Sequence, residues 1–172
     1  MAMRFLFITA FIAICNLLVA QTQFIRRTGG HSFTMDIPDY LEKRYDLNHA
    51  AYLQYGSTEK ESYIIVIPDE KAALEYFEIQ IPDAESYLDG FASKYKLDAI
   101  NREISSVAKE KIGDLNFAQA KLTWEEDGYV FEMLITAVES PTYFYNILCW
   151  TSKNFAAEVW DDFLKSVKSF KE

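Results

Sequence analysis

Residues 115–151 read LNFAQAKLTWEEDGYVFEMLITAVESPTYFYNILCWT and predict three consecutive antiparallel strands. Asp127-Gly128 is a dipeptide typical of the two-residue type I′ turn, which sets the register of the hairpin around it. In this register Glu126 lies opposite Tyr129, and alternation along each strand puts three apolar pairs on one face. These pairs are Trp124 with Phe131, Leu122 with Met133, and Ala120 with Ile135. Turn chemistry and apolar pattern therefore predict the same pairing.

The third of these strands, residues 142–151, is apolar on both faces. One face carries Tyr143, Tyr145, Ile147 and Cys149, and the other carries Phe144, Leu148 and Trp150. A strand that is apolar on both faces is typical of a sheet centre with cover on both sides. The continuous run YIIVI at residues 63–67 predicts a second strand of this kind.

The remaining pattern predicts further strands and helices around this centre. We expect a strand over 32–37, a hairpin joining 51–55 to 62–68, a weaker strand over 104–109, and a loose lead-in over 21–31. Helices are predicted within 69–82, from the N-cap Asp83 to about residue 96, and over 154–170 with Asn154 as N-cap. The predicted fold class is α+β: an antiparallel sheet of about six strands sandwiched by helices.

The N-terminus is typical of a secretory signal peptide. Arg4 is the only charged residue among residues 1–20, and an apolar run extends from Phe5 to Ala20. This run is about 16 residues long, which is shorter than a bilayer span requires. We expect cleavage near Ala20, a single domain over 21–172 without a membrane span, and an extracytoplasmic location, secreted or periplasmic. An uncleaved N-terminal anchor is the alternative.

Composition restricts the class of partner. The chain has 17 Lys and Arg against 26 Asp and Glu, so its formal net charge is −9. Binding a polyanion requires clustered cationic side chains, so nucleic acid is not an expected partner. The same excess of carboxylates disfavours anionic membranes and makes cationic partners more plausible.

The sequence contains none of the common catalytic motifs. There is no phosphate-binding glycine loop, no His-Glu-x-x-His, no EF-hand spacing and no Gly-x-Ser-x-Gly. Cys149 has apolar neighbours, which predicts a buried and unreactive thiol, and His31 and His49 lie in polar segments. We therefore expect no catalytic residue, no cofactor and no metal. The alternative is an extracytoplasmic, hydrolase-like enzyme whose site forms only in three dimensions.

Tyrosine provides the candidate binding surface. Tyrosine is enriched at interfaces because it combines apolar area with a hydroxyl group. The chain has 11 tyrosines, and four of them cluster around one histidine: Tyr40, Tyr45, His49, Tyr52 and Tyr55. The alternative is that these tyrosines are simply good strand formers.

The order of these elements resembles a known family. Four stretches carry the resemblance: the strand FTMDIP at 33–38, the strand YIIVIP at 63–68, the meander closing on CWT at 149–151, and the final KSFK at 168–171. They are similar to the PsbP-like superfamily, which includes small secreted and periplasmic bacterial proteins of the DcrB type. The resemblance implies a sheet sandwiched by helices and a non-catalytic binding or accessory role. An envelope or extracellular protein is then a more plausible partner than a small ligand.

Overall fold

The computed structural model describes residues 22–30 and 32–172. The predicted signal peptide at 1–20, its cleavage near Ala20, and His31 lie outside the described residues. The described part contains ten strands and three helices. The strands are β1 Phe24–Gly29, β2 Phe33–Pro38, β3 Glu42–Lys43, β4 Leu53–Ser57, β5 Ser62–Glu70, β6 Ile100–Ile104, β7 Ala108–Ile112, β8 Leu115–Glu126, β9 Tyr129–Glu139 and β10 Tyr143–Ser152. The helices are α1 Lys71–Tyr76, α2 Ala84–Ala92 and α3 Lys153–Lys168.

Eight of the strands form one antiparallel sheet. Their order is β3-β4-β5-β10-β9-β8-β6. β7 pairs with the first part of β8, on the same edge as β6. The expectation of about six strands was therefore too low. The extra strands lie at the sheet edges, where β3 has two residues and the side chains of β6 and β7 are mostly exposed. Edge strands of this kind show little alternation of apolar and polar residues, so the sequence pattern does not reveal them. In place of the single strand expected over 104–109, the structure has two strands, β6 and β7.

The predicted register of the central hairpin is confirmed. Glu126 pairs with Tyr129, and the three apolar pairs predicted from the sequence are all present. Asp127 and Gly128 both have positive φ, at 52° and 79°, as a type I′ turn requires. β10 lies between β5 and β9, as its two apolar faces predict.

The sheet has a separate core on each face. On one face, α3 and the β1–β2 hairpin cover a cluster that includes Tyr145, Ile147 and Cys149 of β10. On the other face, α2 covers a cluster that includes Phe144 and Leu148 of the same strand. Burial of each large apolar side chain contributes about 1.5–3 kcal/mol, so these two clusters supply most of the driving force for folding.

Two predictions about element ends were wrong. Residues 24–29 are not a loose lead-in but strand β1, which pairs with β2 over its whole length and adds an ion pair from Arg26 to Asp36 at 2.8 Å. Helix α3 begins at Lys153 with Ser152 as N-cap, not at Asn154, because β10 runs directly into the helix. The N-cap prediction for Asp83 is confirmed, since its carboxylate accepts a hydrogen bond from the Ser86 amide at 2.8 Å.

We expect Phe163→Ala to lower the free energy of unfolding by about 3–5 kcal/mol, because the ring is fully buried between α3 and the sheet. Urea unfolding followed by circular dichroism measures this change. Phe77→Ala is the matched control, since that ring is mostly exposed and its loss should cost within about 0.5 kcal/mol. Equal losses for the two variants would contradict the assignment of the core.

Candidate binding cleft beside helix α1

An open cleft of about 690 Å³ lies between α1, the segment that follows it, and the adjoining ends of β9 and β10. Its volume falls in the range typical of ligand-binding sites. Its walls are mixed, with five apolar side chains and four polar or charged ones. The lining residues are Lys71, Leu74, Glu75, Ile79, Gln80, Ile81, Pro82, Glu139 and Phe144.

Helix α1 is held over this cleft by its two ends. It begins directly after β5, and none of its side chains is buried. At its C-terminus Glu78 has a φ of 58°, in the left-handed region. The amide of Ile79 then donates to the Leu74 carbonyl at 2.9 Å, and the amide of Glu78 donates to the Glu75 carbonyl at 3.0 Å. This pair of bonds is a Schellman motif, and it places Leu74 and Ile79 together in the cleft wall.

The floor of the cleft is the ring of Phe144. Tyr87 of α2 stacks on this ring with centroids 4.9 Å apart, and the Lys71 ammonium lies 4.5 Å from the ring centroid. Lys71 also forms an ion pair with Glu139 at 2.9 Å, and Asn116 donates to the second carboxylate oxygen of Glu139 at 3.3 Å. The floor is therefore ordered by its own contacts before any ligand binds.

Three large apolar side chains project from the rim of the cleft into solvent. Tyr76 is 81% exposed, Phe77 is 69% exposed and Ile79 is 48% exposed. The two rings contact each other edge to face, with centroids 5.2 Å apart. Single exposed apolar residues are ordinary, but a contiguous cluster beside a cleft is typical of an interaction site. We call Tyr76, Phe77 and Ile79 the α1 patch.

The surroundings of the α1 patch are acidic. Residues 69–85 contain six carboxylates and one cationic side chain, Lys71. Three of these carboxylates already have partners, since Asp69 accepts a hydrogen bond from Tyr87, Asp83 caps α2 and Glu85 forms an ion pair with Lys109. Glu70, Glu75 and Glu78 are exposed on either side of the α1 patch. The rim therefore combines apolar rings with negative charge.

The structure separates the five residues of the predicted tyrosine surface. Tyr45, His49 and Tyr52 are exposed on the segment between β3 and β4, and they remain a predicted binding surface. Tyr55 is buried in the cluster that α3 and the β1–β2 hairpin cover, with Arg27 of β1 over its ring, so it is not part of an exposed surface. Tyr40 is half-buried, with the Lys60 ammonium 4.6 Å from its ring centroid. Tyr55 differs from Tyr45 and Tyr52 because it lies within β4, on the face that α3 covers.

The buried cysteine has the expected environment. Cys149 lies at the sheet centre, and burial raises the pKa of its thiol, so the nucleophilic thiolate is disfavoured. Within residues 22–30 and 32–172, no three His, Cys, Asp or Glu side chains are grouped so that they could hold a metal ion. No helix in this part of the chain is long and apolar enough to cross a membrane.

The architecture is similar to that of proteins of known structure. No protein-family model and no curated protein sequence matches the chain. The solution structure of CyanoP, the PsbP of the cyanobacterium Synechocystis sp. PCC 6803, superposes with a TM-score of 0.64 at 10% identity, covering 90% of this chain and 95% of that one. The chain has a PsbP-like fold. The resemblance drawn from the sequence is thereby confirmed at the level of the fold.

Two further structures share the PsbP-like architecture. LpqN of Mycobacterium tuberculosis, which is involved in cell envelope biogenesis, has a TM-score of 0.59 at 10% identity and covers 88% of this chain and 91% of its own. PA94 of Pseudomonas aeruginosa, a protein of unknown function and putative regulator, has a TM-score of 0.52 at 8% identity and covers 86% and 95%. Function within a shared fold depends on the individual site, so the cleft has to be interpreted from its own residues.

Sequence reasoning missed this cleft, although one signal was present. In the stretch EYFEIQIP at 75–82, Phe77, Ile79 and Ile81 alternate with polar residues as in a strand, but the structure forms no strand there. Such a mismatch indicates apolar residues that the local element cannot bury. The other half of the cleft, Glu139 and Phe144, lies far along the chain and carries no such signal.

We expect the PsbP-like domain to lose stability above about pH 10, the ordinary tyrosine pKa. Burial, with the hydrogen bond to Asp69 at 2.5 Å, raises the pKa of Tyr87, and burial also raises the pKa of Tyr145. A raised pKa in the folded state gives stability that is present below the unfolded value and lost as the pH rises beyond it.

Urea midpoints measured between roughly pH 9 and pH 11 test this prediction. The pH dependence should be shallower in Tyr87→Phe, which cannot ionise, than in the parent protein. Tyr45→Phe, at an exposed ring, is the matched control and should follow the parent. Parallel pH profiles for the parent and Tyr87→Phe would show that this hydroxyl is not held in its neutral form.

Proposed function

We propose that this protein is an extracytoplasmic, non-catalytic binding or accessory protein that holds a partner protein at the α1 patch and the cleft beside it. One observation carries the proposal. An edge-to-face pair of exposed aromatic rings, Tyr76 and Phe77, lies next to an ordered cleft that has both apolar and charged walls. Clusters of aromatic side chains beside a pocket are the usual centres of binding energy in protein interfaces.

The form of the site favours a protein over a small ligand. Sites for small ligands bury most of the ligand surface inside a cavity. Here the cleft is open, and much of the available apolar area faces outward on the rim. A partner that inserts one side chain above Phe144 and packs its flank on Tyr76 and Phe77 would bury both parts together.

The charged groups of the cleft favour binding over chemistry. Lys71 is paired with Glu139, and Glu139 is also bonded to Asn116. Both charges are therefore engaged in ordering the floor. Glu75, the third charged group of the lining, is exposed to solvent on α1. A hydrolase-like activity would need a nucleophile or general base held towards a bound substrate.

The proposal of an extracytoplasmic location rests on the N-terminal sequence and on the fold. The predicted signal peptide directs the chain out of the cytoplasm. LpqN, which shares the fold, is involved in cell envelope biogenesis. We therefore place the partner among envelope or extracellular proteins.

Capture from the source cells tests this proposal. The full chain is expressed with its own N-terminus and a C-terminal tag, cross-linked in cells and purified. The test variant is Tyr76→Ser with Phe77→Ser and Ile79→Ser. The matched control is Leu97→Ser with Ile100→Ser and Tyr129→Ser, which also removes three exposed apolar side chains outside the cleft. Urea unfolding of each variant establishes that it is folded.

We expect the parent and the control variant to capture the same partner, and the α1 variant to lose it by about 30-fold, which corresponds to about 2 kcal/mol of interface energy. Equal capture by all three proteins would contradict the proposal. A small metabolite that raises the melting temperature by roughly 5 °C in the parent but not in Phe144→Ala would instead assign the cleft to a small ligand.

A further inference from the structure

We propose that the segment of the partner that occupies the α1 patch is a cationic amphipathic one, with Lys or Arg side chains next to large apolar residues. This inference rests on the proposed function, because it names the chemistry of the partner at the same site. It follows from the charges that remain unpaired around the apolar rim and from their spacing.

The local charge balance is negative once internal pairs are removed. Lys71, the one cation between residues 69 and 85, is engaged by Glu139 and by the ring of Phe144. Asp69 accepts a hydrogen bond from Tyr87, and Asp83 and Glu85 are engaged by Ser86 and Lys109. Glu70, Glu75 and Glu78 remain exposed beside the α1 patch. A partner that covered this rim without cations would bring its own surface against three carboxylates.

The spacing of these groups sets the pattern that a partner must match. Glu75 and Glu78 lie three residues apart, with Tyr76 and Phe77 between them. Each carboxylate is therefore the chain neighbour of one of the rings. A partner helix with cations three or four residues from an apolar anchor presents the complementary arrangement.

The exposed rings are also acceptors for cations. The faces of Tyr and Phe attract Lys and Arg, and Arg most often. Within this protein Lys71 already makes such a contact with Phe144 at the cleft floor. A Lys or Arg of the partner can therefore contact a carboxylate with its charge and a ring with its stem at the same rim.

The same charges argue against an anionic membrane as the occupant. Exposed aromatic side chains can insert into a bilayer interface, but membrane-surface segments normally carry cations that attract anionic lipids. The rim of this cleft carries the opposite charge. Anionic vesicles should therefore be repelled from the α1 patch.

The test uses a labelled synthetic peptide of about 18 residues, long enough for a helix, in which Leu and Lys repeat with helical periodicity. A second peptide replaces every Lys with Glu, and a third scrambles the Leu–Lys order. Binding to the full chain is measured by fluorescence anisotropy at roughly 50 mM and roughly 300 mM salt.

Two variants separate local charge from net charge. Glu70→Gln with Glu75→Gln and Glu78→Gln removes the three carboxylates around the patch. Glu59→Gln with Glu103→Gln and Asp161→Asn removes three exposed carboxylates elsewhere, so both variants change the net charge equally. The Tyr76→Ser, Phe77→Ser, Ile79→Ser variant removes the apolar part of the site.

We expect the periodic Lys peptide to bind at least tenfold more tightly than the Glu peptide and the scrambled peptide, and to weaken several-fold at the higher salt. The rim variant should bind it roughly tenfold more weakly, the distant control should bind it as the parent does, and the apolar variant should lose it.

Equal affinity for the Lys and Glu peptides, or equal loss in the two charge variants, would overturn the cationic inference. Equal binding of the scrambled peptide would overturn its amphipathic part. Binding of anionic vesicles through the α1 patch would assign the site to a membrane. In each case, capture of a partner that depends on Tyr76 and Phe77 would still support the proposed function. Capture that did not depend on these two residues would overturn both the proposed function and the cationic inference.

Discussion

The double burial of β10 is the constraint on which the rest of the structure depends. Tyr145, Ile147 and Cys149 point to one side of this strand, and Phe144 and Leu148 point to the other. A strand with two apolar faces is stable only if pairing strands protect both of its edges and helices cover both of its surfaces. β5 and β9 supply the edges, and α3 and α2 supply most of the cover.

The cleft exists because this cover is unequal at one end of β10. Helix α3 follows β10 without a break and runs for 16 residues, whereas α2 has 9 residues and begins only at Ala84. The first apolar residue of β10 on the α2 side, Phe144, is therefore met by the ring of Tyr87 and the ammonium of Lys71 rather than by a full helix face. The short helix α1 spans the gap without burying any of its own side chains.

The surface beside α1 differs from the rest of the protein surface. Most carboxylates are spread over exposed positions, and they give the chain its negative charge. Beside α1 they lie next to apolar rings that nothing in the described part of the chain covers. Exposure of such an apolar cluster to water is unfavourable in free energy. A partner with complementary charge and apolar area offsets this when it covers the cluster.

The sequence by itself determined the features that depend on neighbouring residues. The Asp127-Gly128 turn set the hairpin register, apolar residues on both faces identified β10 as central, and Asp83 marked the start of α2, since each signal is read within a few residues. Only the tertiary structure decided which apolar residues are covered. It added strand β1, which pairs only with β2, since that pairing is a contact between separate segments. It also buried Tyr55 while exposing Tyr76 and Phe77, and it joined residues 71–82 to Glu139 and Phe144 in one cleft. The physical reason is that burial depends on which element packs over a residue, and that partner lies elsewhere in the chain.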